Sequence, residues 1–272
     1  IEEATKLIAN AKKPIFYIGG GCINSGPKAS KLVREFVKIS GAPASMTLMG
    51  LGTLAASDPL SLGMLGMHGM YEANLAMHEC DVMVNIGARF DDRVTGRLDA
   101  FSPNSKKIHI DIDASSIQKN IKVDIPIVGD VEAVIEQIIA SWKKNNYSIE
   151  NKALSAWWQK ISEWKKVDCL SFQQNGESIK PQYAIKRLYE LTKDRNTIIT
   201  TEVGQHQMWA AQYYKFEKPN KWITSGGLGT MGFGFPAAIG AQVAHPDSLV
   251  VDIAGDGSIL MNIQEMLSLI HI

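Results

Sequence analysis

The sequence predicts the α/β class, with parallel sheets covered by helices and the chain divided into two such domains. Three observations carry this reading. Short β-rich runs alternate with helical stripes. The runs are largely apolar without strict alternation, as strands buried on both faces are, and glycine- and aspartate-rich turns follow several of them.

Ile1 opens directly in a helix-like pattern, and strands are predicted at Pro14–Ile18, 44–48, Val82–Ile86, 107–112 and Ile125–Val128. Leu32, Val33, Phe36 and Val37 form one helical stripe. Val131, Val134, Ile135, Ile138, Ile139 and Trp142 form a better one, which closes a first domain at residue 142. From 143 to 180 the β-runs stop and the composition turns polar around Asn145, Asn146 and Asn151, so this stretch reads as an interdomain connection. Its helix carries Trp157, Trp158, Ile161 and Trp164 at helical spacing, which favours packing against a neighbouring domain over a ligand box. After Pro181 the alternation resumes with strands at Thr197–Thr201, 221–224 and Leu249–Ile253, so 181–272 form a second domain. No internal repeat or low-complexity tract interrupts either domain.

The 272 residues suffice for two buried cores. With 28 basic against 28 acidic side chains, nothing points to nucleic acid, a polybasic membrane patch or disorder. Small molecules and other subunits are the expected partners. Cys22, Cys80 and Cys169 are odd in number and far apart, which argues against a disulfide framework or a zinc site and for a reducing, cytoplasmic setting. No apolar run is long enough for a membrane span. Because Ile1 is not Met, the N-terminus is expected further upstream, and organellar targeting stays open.

The strongest local motif runs from Leu249 to Ser258, an apolar strand leading into Gly255-Asp256-Gly257 and then a helix expected from about Met261. Ligands of α/β folds bind at the carboxyl ends of parallel strands. Glycines there let backbone approach a phosphate, and Asp256 offers a hard oxygen for Mg²⁺ bridging it; an ordinary strand-to-helix turn with Asp near the N-cap is the alternative. Ahead of it lies Ser225-Gly226-Gly227-Leu228-Gly229-Thr230-Met231-Gly232-Phe233-Gly234, whose five glycines suit close contact with a flat ligand. Earlier still, Gly204-Gln205-His206-Gln207-Met208-Trp209 follows the strand at Thr197–Thr201.

Together these three segments resemble the diphosphate-binding domain of thiamine-diphosphate enzymes, and their wording is similar to the acetolactate synthases among them. The resemblance covers nearly the whole chain and implies a Rossmann-like parallel-sheet central domain followed by the first part of the thiamine-diphosphate-binding domain. It places Gln205 and His206 at the diphosphate, Gly229, Thr230 and Met231 at the aminopyrimidine, Asp256 on Mg²⁺, and Gly257 and Ser258 beside the phosphates.

In the first domain the resemblance implies an FAD site, with FAD bound but not undergoing redox chemistry. The charged run Gly87-Ala88-Arg89-Phe90-Asp91-Asp92-Arg93 follows a strand, and a self-neutralising surface loop is the plainer reading. Thr47 and Leu48, Leu65-Gly66-Met67-His68, Asp111 with Ile112, and Asp130 with Val131 also fall near strand ends. Gly20, in Gly19-Gly20-Gly21-Cys22-Ile23-Asn24, would touch the flavin, although Asn24 stands where a dinucleotide fingerprint has its last glycine. Asp111 and Asp113 could suggest a metal pair, but their spacing on a strand favours a ribose hydrogen bond or a structural role.

Two departures from the family pattern are expected to leave this chain inactive alone. The N-terminal domain with the activating glutamate has no counterpart, and the asparagine that closes the motif opened by Asp256 is not reached. The run 267–272 fits the family poorly. The family condenses two 2-keto acids with loss of carbon dioxide in branched-chain amino-acid synthesis, as homo-oligomers (dimer or tetramer) and at times with a small regulatory subunit. Alternatives are another thiamine-diphosphate enzyme, of pyruvate oxidase or glyoxylate carboligase type, or a non-catalytic flavin- or nucleotide-binding module.

Overall fold

Strands β1 (Pro14–Ile18) and β4 (Val82–Ile86) are buried at every position, as strands covered by helices on both faces must be. The computed structural model describes residues 1–271, which divide into one unit ending at Leu170 and a second beginning at Ser171. In the first unit β1 and β4 are joined by β2 (Ala44–Met46), β3 (Ser61–Met64), β5 (Lys106–Asp111) and β6 (Ile125–Val128). All pairings are parallel, in the order β3-β2-β1-β4-β5-β6. This is the doubly wound, Rossmann-like order, in which the direction of winding reverses between β1 and β4 and opens a crevice at their carboxyl ends.

Differences from the sequence-predicted strands have local causes. β2 stops at Met46 because Thr47 takes an N-cap role, its Oγ1 accepting from Gly50 N at 3.1 Å, and a 3-10 turn follows at Leu48–Gly50. β3 was not predicted. It is four residues long and includes Gly63 at φ 73, so it carries little β-pattern. β5 starts and ends one residue earlier than read.

The stripe from Val131 to Trp142 is buried as predicted, and Phe36 meets Trp142 edge-on at 5.5 Å, joining the helices Pro27–Ser40 and Val131–Lys144 over one face of the sheet. The helix Asn151–Lys165 belongs to the same unit. Trp157, 2% exposed, packs in a core with Ile15, Tyr17 and Met83, and its Nε1 donates to Pro14 O at 3.0 Å. That aromatic anchor carries the first unit past the boundary at 142 that composition suggested, to residue 170.

The second unit holds β7 (Thr197–Thr201), β8 (Trp222–Thr224) and β9 (Leu249–Ile253), parallel in the order β8-β7-β9. Thr201 stands opposite both Thr224 and Ile253, so the three carboxyl ends are level. The helix expected from about Met261 instead spans Asp256–Met261. Gly255 is extended, with φ −87 and ψ 155, and takes the N-cap position, so the chain turns into helix directly at Asp256. No helix among the described residues is long and apolar enough to cross a membrane.

Candidate functional site

Level strand ends bring the loops after β7, β8 and β9 to one edge of the second unit. The helix Gln205–Tyr213 starts two residues after Val203, leaving Gln205 exposed and His206 half-buried. Gln207 turns inward, donating from Nε2 to Thr224 Oγ1 at 2.7 Å and to Ser225 O at 3.2 Å, which ties β7's exit to that of β8. The His206 ring lies against two glycines. A Cβ on Gly204 would come within 2.6 Å of its Cε1, and a Cβ on Gly255 within 2.9 Å, so neither position has room for a side chain.

Sequence reasoning missed Glu202, which sits at the centre of this edge with 1% exposure. Its Oε2 accepts from Gly234 N at 3.0 Å and its Oε1 from Gly255 N at 3.1 Å. His206 Nε2 lies 3.3 Å from Oε1, within ion-pair reach but off the hydrogen-bond line. Burial lowers the His206 pKa, opposed by Glu202 and by the charge of Asp256. The available signal was a lone acid ending a buried strand, because such acids are almost never buried unless paired. Asp252 was missed as well. Its Oδ1 accepts from Thr200 Oγ1 at 2.8 Å, its buried Oδ2 has no hydrogen-bond partner, and burial, assisted by Glu202, raises its pKa to about 6.

The glycine-rich loop presents residues 227–231 to solvent, with Thr230 N held by Ser225 Oγ at 2.8 Å. Gly229 and Met231 are therefore open to a ligand, as is Gly257, whereas Ser258 is buried. Asp256 is exposed, and among the described residues its carboxylate has no hydrogen bond or ion pair within reach. No grouping of three or more His, Cys, Asp or Glu able to hold a metal occurs among the described residues. Asp256 thus offers one hard oxygen of the kind Mg²⁺ prefers.

In the first unit the β1 and β4 exits touch. Gly19 N donates to Ile86 O at 2.8 Å and Gly21 N to Gly87 O at 3.0 Å. Gly87 has φ 64, and a Cβ there would lie 2.7 Å from Gly21 Cα, so only glycine satisfies both conformation and space. Two residues that sequence reasoning missed hold the next position: Asn85 makes a two-way amide bond with Ala88, and buried His109 donates from Nε2 to Ala88 O at 2.9 Å. Phe90 then turns inward against Tyr17, Phe101 and His109, while Arg89 stays exposed and pairs with Asp91 at 2.9 Å.

The sequence-selected residues of this unit divide into exposed and inward-facing groups. Leu65 and Ala88 are buried; Met67, His68, Asp92, Arg93 and Ile112 are exposed, and Gly20, Thr47, Leu48 and Asp91 are half-buried. Gly66 is clamped by Asn74 from both sides, and Met67 N donates to Arg93 O at 2.8 Å, which joins the 65–68 and 87–93 segments. Asp111 accepts from Asp113 N at 2.9 Å. Burial opposes its ionisation, but His109 and that N–H outweigh it and hold the carboxyl below its usual range. Asp113 is engaged by Ser115 and Ser116, a turn rather than a metal pair. Asp130 caps the helix Val131–Lys144 and accepts from Ser25 Oγ, and Val131 is buried in that helix.

Residues 1–138 match the thiamine pyrophosphate enzyme central domain, and 202–271 match the C-terminal TPP binding domain of the same enzymes. The chain belongs to the thiamine pyrophosphate enzyme family. It is 48% identical to the acetolactate synthase large subunit of Haemophilus influenzae over 98% of its own length and 46% of that protein. It is 47% identical to the acetolactate synthase isozyme 3 large subunit of Escherichia coli, with the same coverages, and 48% identical to the chloroplastic acetolactate synthase of Arabidopsis thaliana, covering 98% of this chain and 39% of that protein. The chain therefore spans less than half the length of these relatives.

Proposed function

We propose that the enzyme carrying this chain is an acetolactate synthase, joining two pyruvates, or pyruvate and 2-ketobutyrate, with loss of carbon dioxide in valine, leucine and isoleucine synthesis. The observation that carries the reading is the convergence of the His206 ring, the open glycine-rich loop and the unpaired Asp256 on one strand edge, in a chain 47–48% identical to such enzymes over 98% of its length. Thiamine diphosphate supplies the nucleophilic carbon and electron sink that decarboxylation of a 2-keto acid needs.

The chain's own residues would bind and orient it. Asp256 would ligate Mg²⁺, and Gln205, His206, Gly257 and Ser258 would flank the diphosphate. Gly229, Thr230 and Met231 would contact the aminopyrimidine, the glycines of the loop leaving room for a flat ring. Burial lowers the His206 pKa, which favours a hydrogen-bonding group over a fixed cation beside the phosphates. FAD would bind at the carboxyl ends of β1 and β4, where Gly20 and Gly87 let the two strand exits pack closely and Arg89, Arg93 and Asp111 supply charge nearby. Homo-oligomerisation, a small regulatory partner subunit and a cytoplasmic or organellar location complete the reading, since relatives are named as large subunits and as chloroplastic enzymes.

Asp256→Ala in the complete enzyme tests it. Loss of a direct ligand should raise the Mg²⁺ half-saturation by at least the roughly 10- to 100-fold typical of changes one step behind a ligand, with far-UV circular dichroism unchanged. A folded variant with an unaltered Mg²⁺ requirement would reduce Asp256 to a residue of the turn.

A further inference from the structure

We infer that Glu202 is a positioning residue of this site, a buried carboxylate that sets the spacing between the glycine-rich loop, the Asp256 turn and the His206 ring. The inference rests on the thiamine diphosphate reading above. A carboxylate at 1% exposure is costly unless its charge is met by hydrogen bonds. Here it is met by the N–H groups of Gly234 and Gly255, which lie 32 and 53 residues away in sequence. Gly234 starts the helix that follows the glycine-rich loop, and Gly255 immediately precedes Asp256. One side chain therefore fixes both cofactor-facing loops to the end of β7, and a carboxylate is a stronger acceptor for such bonds than a neutral group.

The surroundings are built around that carboxylate. A Cβ on Gly234 would come within 2.0 Å of Glu202 Oε2 and 2.6 Å of Asp252 Oδ1, so this position has no space for a side chain. The same Oε1 that holds Gly255 lies 3.3 Å from His206 Nε2, and the ring leaves no room for a Cβ on Gly204 or Gly255, so the carboxylate, the ring and the start of the Asp256 turn are packed together. A glutamine presents one acceptor and one amide donor and can satisfy only one of the two N–H groups. An aspartate keeps the charge but is a methylene too short to span both.

In the complete enzyme, thiamine diphosphate is titrated at fixed Mg²⁺ into wild type, Glu202→Gln and Glu202→Asp, with tryptophan fluorescence reporting binding and product formation reporting turnover. The expected result is a half-saturation raised about 10- to 100-fold in the Gln variant, the range for changes one step behind a ligand, and raised less in the Asp variant. Turnover at saturating cofactor should fall no more than about threefold, the pattern of a lost binding contact rather than a lost reacting group. Should the Gln variant not fold, the Asp variant must still show the rise. An unchanged half-saturation in a folded variant overturns the inference, as does a loss confined to turnover. A wild type that binds no thiamine diphosphate sinks the cofactor reading and this inference together, a result distinct from a variant-specific loss.

Discussion

Replacing Gly255 by alanine isolates the contact that holds His206. The backbone at Gly255, φ −87 and ψ 155, suits any residue, so alanine there carries no conformational penalty and would, with space available, stabilise by about 0.4–1 kcal/mol through the unfolded chain. Space is not available. The new Cβ would stand 2.9 Å from Cε1 and Nδ1 of His206, and the ring would have to retreat about 0.6 Å to reach the ordinary carbon contact of ~3.5 Å. Gly204 and Glu202 Oε1 also lie close to the ring, so the retreat is resisted and overpacking should cost about 1–3 kcal/mol. With His206→Ala the obstacle is gone, and the same Gly255→Ala change should become neutral or stabilising. The coupling between the two sites should then exceed about 1.5 kcal/mol, within the range for residues in contact. Amide hydrogen exchange over β7 and β9 in wild type, both single variants and the double variant measures it as opening free energies. Equal cost of Gly255→Ala in both backgrounds would refute the packing argument.

Two further outcomes are expected. Trp157→Ala should cost about 3–5 kcal/mol in urea unfolding of the first unit, and Trp157→Phe about 1–2 kcal/mol through the lost hydrogen bond to Pro14 O and the smaller ring; an alanine cost below ~1 kcal/mol would detach the helix Asn151–Lys165 from this core. Burial raises the Asp252 pKa from the ordinary 3.8 to about 6 in the folded state, so its contribution to stability is fully present below the lower value and lost as pH rises through the higher one. Asp252→Asn should therefore gain on wild type between pH ~4 and ~6 and hold that gain above; the full shift corresponds to about 3 kcal/mol and solvent screening of this half-buried group reduces it to roughly 1–1.5. Denaturation midpoints across that range check it, and a pH-independent difference would contradict the assignment.

Much of the architecture was legible because burial on both faces leaves its mark along the chain. β1, β4 and β7 read as unbroken runs, and the stripe from Val131 to Trp142 as a helix face. The turn at Asp256 and the glycine-rich loop were visible because glycine and aspartate mark places where backbone must bend or approach a ligand. β3 was not legible, being short and interrupted by Gly63, and Trp157 read as packing without revealing that its partner is β1. The same limit applies to Glu202, Asn85 and His109. Each is a single polar residue with no local pattern, and its role exists only because parallel pairing sets Thr201 level with Ile253 and Ile86 level with Ile110. Residue spacing along the sequence determined which segments turn and which are buried. Strand order and register decided which of those turns meet, because a hydrogen bond over 53 residues, such as that from Gly255 to Glu202, depends on where the sheet brings the chain back and not on the residues between.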